Sequence, residues 1–102
     1  MFGLISSMTV VPGRRDELIA VLAAAVSSMP GCLSYVVAKD AKDDNTIWIT
    51  EVWDSKESHD ASLSLPVVAK AIAVARPMIS GFGNQVITTP VGGYGLPVGK
   101  PR

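Results

Sequence analysis

The sequence predicts an α+β fold in which one sheet carries its helices on one face. Three observations point there. Strand-type runs occur at Phe2 to Val11, Cys32 to Ala38, Thr46 to Trp53 and Phe82 to Thr89. Helix-period stripes follow the first and the third run, and Pro-Gly pairs or polar clusters separate the segments. The order is therefore βαββαβ. Two right-handed βαβ crossovers give a four-stranded antiparallel sheet with both helices on one face, the ferredoxin-like arrangement.

Each element has its own signal. The first run alternates Phe2, Leu4, Ser6, Met8 and Val10 against Gly3, Ile5, Ser7, Thr9 and Val11, and Pro12-Gly13 stops it. Arg14 to Met29 reads as a helix: Leu18, Ile19, Leu22, Ala25, Val26 and Met29 form one stripe, with Asp16 and Glu17 in the dipole-favoured first turn. Pro30-Gly31 ends it. KDAKDDN, Lys39 to Asn45, is the most polar stretch and reads as a hairpin loop. The third run holds both tryptophans and is rich in β-branched residues. Asp54 with Glu57 reads as a capping box for a helix over Ser55 to Arg76, interrupted or restarted by Pro66. Met8, Met29 and Met78 read as core fillers. The first 89 residues form one domain, and Pro90 to Arg102, with four Gly and three Pro, reads as a tail.

Composition narrows the function. The 102 residues carry nine Lys+Arg and nine Asp+Glu, for a formal charge of zero, so no basic excess favours nucleic acid. Hydrophobic residues make up 48% and charged residues 18%, which is not the composition of a disordered chain. Cys32 and His59 are each the only residue of their type. A zinc site is not implied, no intrachain disulfide can form, and a reducing cytoplasm suits the chain. The longest apolar run, Leu18 to Val26, is nine residues, too short for a membrane span. Gly81-Phe82-Gly83 enters a strand rather than a helix, so it is no dinucleotide fingerprint. Both faces of the sheet are apolar, and an uncovered face of that size predicts a homodimer.

Several residues could carry chemistry. Ile47, Ile49, Glu51 and Trp53 share one strand face, and Trp48, Thr50 and Val52 the other. Glu51 is either a carboxylate of raised pKa accepting a proton in an apolar cleft, or a hydrogen-bond acceptor at a dimer seam. His59 is either a general base or a solvated residue near Asp54 and Asp60. Position ranks Glu51 ahead, because a helix start more often meets solvent. Tyr35 is a core aromatic or a proton donor, and Arg76 a dipole-complementing cation or a substrate clamp. One of Ser6 and Ser7 is expected to point into the space the sheet covers.

The βαββαβ order, the segment WITEVWDS and the helix KESHDASLSLPVVAKAI resemble the antibiotic-biosynthesis monooxygenase domain over Phe2 to Thr89. Glu51-Val52-Trp53-Asp54-Ser55 is the most specific part. The resemblance implies a dimeric α+β barrel whose characterised relatives oxidise polyketide phenols and quinols or degrade haem. The haem-degrading branch carries an Asn on its first strand and a Trp and a later His in its second helix; Ser6, Ser7 and a Trp-free helix stand here. Many relatives place a His near the position of Ser62. The implied function is a cofactor-independent monooxygenase acting on a small aromatic phenol or quinol. Glu51 and His59 are then the catalytic candidates, and Tyr35, Trp53, Arg76 and Ser6 the substrate-binding ones. The alternative is a non-catalytic, small-molecule-binding or stress-associated dimer of the same fold.

Overall fold

The computed structural model describes residues 1–26 and 29–96. Strand β1 spans Phe2–Val10, helix α1 Arg15–Ala25, β2 Cys32–Lys39, β3 Thr46–Trp53, α2 Lys56–Ser62 and α3 Pro66–Ala75; a 3₁₀ turn at Arg76–Met78 leads into β4, Ile79–Thr88. The strands form one sheet in the order β2-β3-β1-β4, every pair antiparallel. This is the ferredoxin-like α+β fold, with the second helical region split in two. Residues 89–96 add no helix or strand, and the rest of the expected tail lies outside the described residues. Among the described residues no single helix is long and apolar enough to cross a membrane.

Register explains the two faces. Leu4 pairs with Glu51, Ser6 with Ile49 and Met8 with Ile47, so these six side chains project toward the helices. The core sits at one end of that face. Val10, Leu18 and Ile47 are wholly buried there, with Met78 nearly so, each side chain contributing about 1.5–3 kcal/mol of burial. The opposite face aligns Val36, Thr50, Ile5 and Val86 in one row across the four strands. Val36 and Val86 are about half exposed on it.

The two serines of β1 part company. Ser6 turns to the helix side. Ser7 is buried on the other, where β4 carries an irregularity opposite it, and its Oγ accepts the Asn84 N–H at 2.9 Å. A bulged strand leaves a ladder donor unpaired, and this hydroxyl takes it up. Gly83 leaves room for that approach, since a Cβ there would collide with Ser7 Oγ.

Two boundaries differ from the sequence reading. Helix α1 ends at Ala25 instead of continuing to Met29, which lies outside the helix; Ser27 and Ser28 fall outside the described residues. The cap of α2 is Ser55, not Asp54. Strand β3 runs to Trp53, and the Asp54 N–H is drawn to the Gly31 carbonyl at 2.9 Å, so the extended step into the helix comes one residue later. Ser55, with φ −157° and ψ 161°, accepts the Ser58 N–H on its Oγ at 3.1 Å. Gly31 permits the contact: it holds φ +85°, and a Cβ would lie 2.6 Å from the Ser58 side chain. Pro66 does restart the helix, standing in its first turn after an extended Leu65, and the pieces on either side are bent by 68°.

Ser55→Ala should therefore cost about 1 kcal/mol in chemical denaturation, and Asp54→Ala less; the reverse order would restore the cap to Asp54. Ser7→Ala strands the Asn84 N–H and should cost about 1–3 kcal/mol. A change within error would mean that the bulge finds another acceptor.

Candidate functional site

At the end of the sheet away from the tight core, the bent α2–α3 pair and α1 stand off the strands. Between them lies a cavity of about 510 Å³. Its floor is Ser6 and Met8 of β1, Tyr35 of β2 and Ile49, Glu51 and Trp53 of β3. Its walls are mostly apolar: Leu22 and Ala25 from α1 with Val26 at its C-terminal end, and Val68, Ala71 and Ile72 from α3. His59 and Ser62 of α2 close one side, and Arg76 and the exposed Phe82 stand at the rim. A space of this size and lining suits a small, largely apolar molecule.

Among the described residues Glu51 is the one carboxylate on this lining. Alternation along β3 puts it beside Trp53, whose indole Nε1–H donates to Glu51 Oε1 at 2.9 Å. Trp53 is itself only 1% exposed, so the bond is shielded from water. His59 reaches the same oxygen: its Nε2 stands 3.9 Å from Glu51 Oε1. The ring is held from two sides, by Phe2 at a centroid distance of 5.2 Å and by the edge-on Trp53 at 5.5 Å. Its Nδ1 lies 3.0 Å from Asp60 Oδ1. Burial pushes the Glu51 pKa above its ordinary value; the Trp53 hydrogen bond and the nearby imidazole oppose that rise without cancelling it.

The neighbours reinforce this electrostatic picture. Tyr35 faces Glu51 across the β2–β3 ladder, and burial first, then the Glu51 charge, push its phenol upward. Tyr35 thus stays protonated at neutral pH and can donate a hydrogen bond, but it is no base. The Cys32 thiol is raised for the same two reasons, which leaves it a thiol rather than a thiolate.

All six residues singled out in the sequence line this cavity. Glu51, His59, Tyr35, Trp53 and Ser6 lie within it, and Arg76 caps the C-terminal end of α3 at its rim. One expectation is corrected. His59 does not turn to solvent: its side chain is 17% exposed and points inward, because the Ser55 cap starts α2 directly over the end of β3. The sequence reading missed Phe2, which backs the imidazole, and Asp60 as its hydrogen-bond partner. It placed Leu22 in an apolar stripe of the first helix and gave no sign of the space in front of it, since that spacing is the spacing of any buried stripe.

The family model for antibiotic biosynthesis monooxygenase matches residues 1–74. A solved structure from Chloroflexus aurantiacus J-10-fl, named for the same family, is 61% identical, with a TM-score of 0.91 over 93% of this chain and 97% of that one. A Pseudomonas aeruginosa structure, 18% identical, aligns over 89% of this chain and 94% of its own with a TM-score of 0.76. A Mycobacterium tuberculosis structure, 20% identical, covers 91% of this chain and 97% of its own at 0.75. These two share the fold. No curated protein matches the chain. With most of its length matched by the family model and a majority of its residues shared with the Chloroflexus protein, the chain belongs to the antibiotic biosynthesis monooxygenase family.

Proposed function

We propose that the protein is a homodimeric, cofactor-independent monooxygenase whose substrate is a small aromatic phenol or quinol. The observation that carries the reading is a buried carboxylate of raised pKa on the floor of an apolar cavity, with an imidazole beside it. Glu51 accepts the phenolic proton. The resulting anion donates electrons to O₂, and the adduct collapses to a quinone and water. The protein contributes a dry space, a fixed orientation and a base. Apolar walls hold the ring, and Tyr35 and Ser6, which line the same space, supply hydroxyls for its oxygens. A cavity filled by side chains would instead have favoured a non-catalytic binding domain.

The second copy belongs on the open face of the sheet, where Ile5, Val36, Val52 and Val86 have no covering layer among the described residues. The lone cysteine is in keeping with a cytoplasmic protein.

Oxygen uptake with a panel of quinols in metal-free buffer tests the activity. Glu51→Gln keeps the shape and removes the base, so turnover should drop ~10²-fold or more; undiminished turnover would remove Glu51 from the role. Because only ionised Glu51 accepts a proton, wild-type turnover should rise with pH through a midpoint above the ordinary glutamate range. No uptake with any quinol would favour the binding domain.

Stability gives a separate check. The folded pKa of Glu51 is raised, so its protonated form is favoured by folding, and that stabilisation is lost as pH rises through the folded midpoint. The gain in melting temperature from Glu51→Gln should therefore be larger at pH 8 than at pH 4, and a gain independent of pH would contradict it. Sedimentation at micromolar concentration should give a dimer burying about 1,200–2,000 Å² or more; a monomer would refute the assembly.

A further inference from the structure

The base of this site has more parts than one carboxylate. His59 Nδ1 and Asp60 Oδ1 are 3.0 Å apart, a formed hydrogen bond, and a carboxylate can only accept it. The other Asp60 oxygen is taken by Lys56 Nζ at 2.7 Å, one helical turn back, which turns Oδ1 toward the ring. A neutral His59 so held carries its proton on Nδ1 and presents a bare Nε2 to the cavity. That lone pair looks at Glu51 Oε1 across 3.9 Å. The gap is too long for a direct hydrogen bond, but a small side-chain rotation or one bridging water closes it. Two acceptors then converge on one position, and a single proton placed there satisfies both.

The geometry points to Glu51 and His59 as one proton-holding unit, with Asp60 the positioning residue that fixes the imidazole tautomer. Resting on the monooxygenase reading above, the unit explains how a proton is kept as well as taken. In the conversion of a phenol and O₂ to a quinone and water, the ring C–H and the phenolic O–H hydrogens both end in the water. The proton removed first is therefore needed again, when the O–O bond breaks and the oxygen leaves as water. Held between Glu51 Oε1 and His59 Nε2, it stays on the cavity floor until that step. The groups facing the imidazole are few: Glu51 and Trp53 from β3, Phe2 from β1 and Asp60 from its own helix, with Lys56 beyond Asp60. The Glu51 charge in turn raises the Tyr35 phenol and the Cys32 thiol, so both stay protonated beside the unit.

His59 is the only histidine, so its ring signals can be read without assignment by mutation. Long-range proton–nitrogen correlation spectra of the wild type with a neutral ring should show the Nδ1–H tautomer, the minor form of free histidine. Asp60→Ala should return the ring to Nε2–H, and Asp60→Asn, which keeps an acceptor oxygen, should hold more of the Nδ1–H form than Asp60→Ala. Glu51→Gln, which removes one of the two acceptors, should move the ring nitrogen shifts away from their wild-type values. An Nε2–H wild type, or ring nitrogen shifts unchanged by Glu51→Gln, overturns the unit whatever the turnover. Intact spectra with no oxygen uptake on any quinol overturn the monooxygenase reading and leave the paired proton standing.

Discussion

A carboxylate taken out of water costs several kcal/mol unless something replaces its hydration, and much of this chain is arranged around that cost at Glu51. Among the described residues one neutral donor, the Trp53 indole N–H, is bonded to it, and the imidazole stands a step beyond hydrogen-bond distance. The compensation is partial, so burial wins and the proton is held more tightly than on an ordinary glutamate. A carboxylate satisfied by several backbone N–H groups would behave oppositely, as Asp40 does. The N–H groups of Asp43 and Lys42, together with the Trp48 indole, lower its pKa to about 2. The two acids differ in proton affinity because of their donors and their burial, not their side-chain chemistry.

The fold divides the covered face of its sheet between two tasks. At one end Val10, Leu18, Ile47 and Met78 fill the space between layers and supply stability. At the other, the 68° bend at Pro66 keeps α2 and α3 from lying along one line, and the cavity opens beneath the bend. Capping α2 at Ser55 sets where its first turn falls, and so brings His59 over β3. Local backbone chemistry thus decides where the reactive groups meet.

Much of this was legible in the sequence. Alternation along Ile47, Ile49, Glu51 and Trp53 placed an acid and an indole on one face, and the Pro and Gly punctuation gave the element order. What stayed hidden depended on three-dimensional spacing. Ser55 and Asp54 are both good caps, and the choice between them was made by the distant Gly31 carbonyl. His59 stood two readings apart, solvated or inward, until the position of α2 over the sheet settled it. The apolar stripe that carries Leu22 reads the same whether it meets side chains or empty space.

The most direct test is the titration of Glu51 itself, followed by the ¹³C signal of its side-chain carboxyl and identified by its loss in Glu51→Gln. A midpoint above the ordinary glutamate range, moving further when a phenol occupies the cavity, is the predicted result. A midpoint at or below that range, indifferent to phenols, would mean that the carboxylate is fully compensated where it lies, and that Glu51 is a structural acceptor rather than the base.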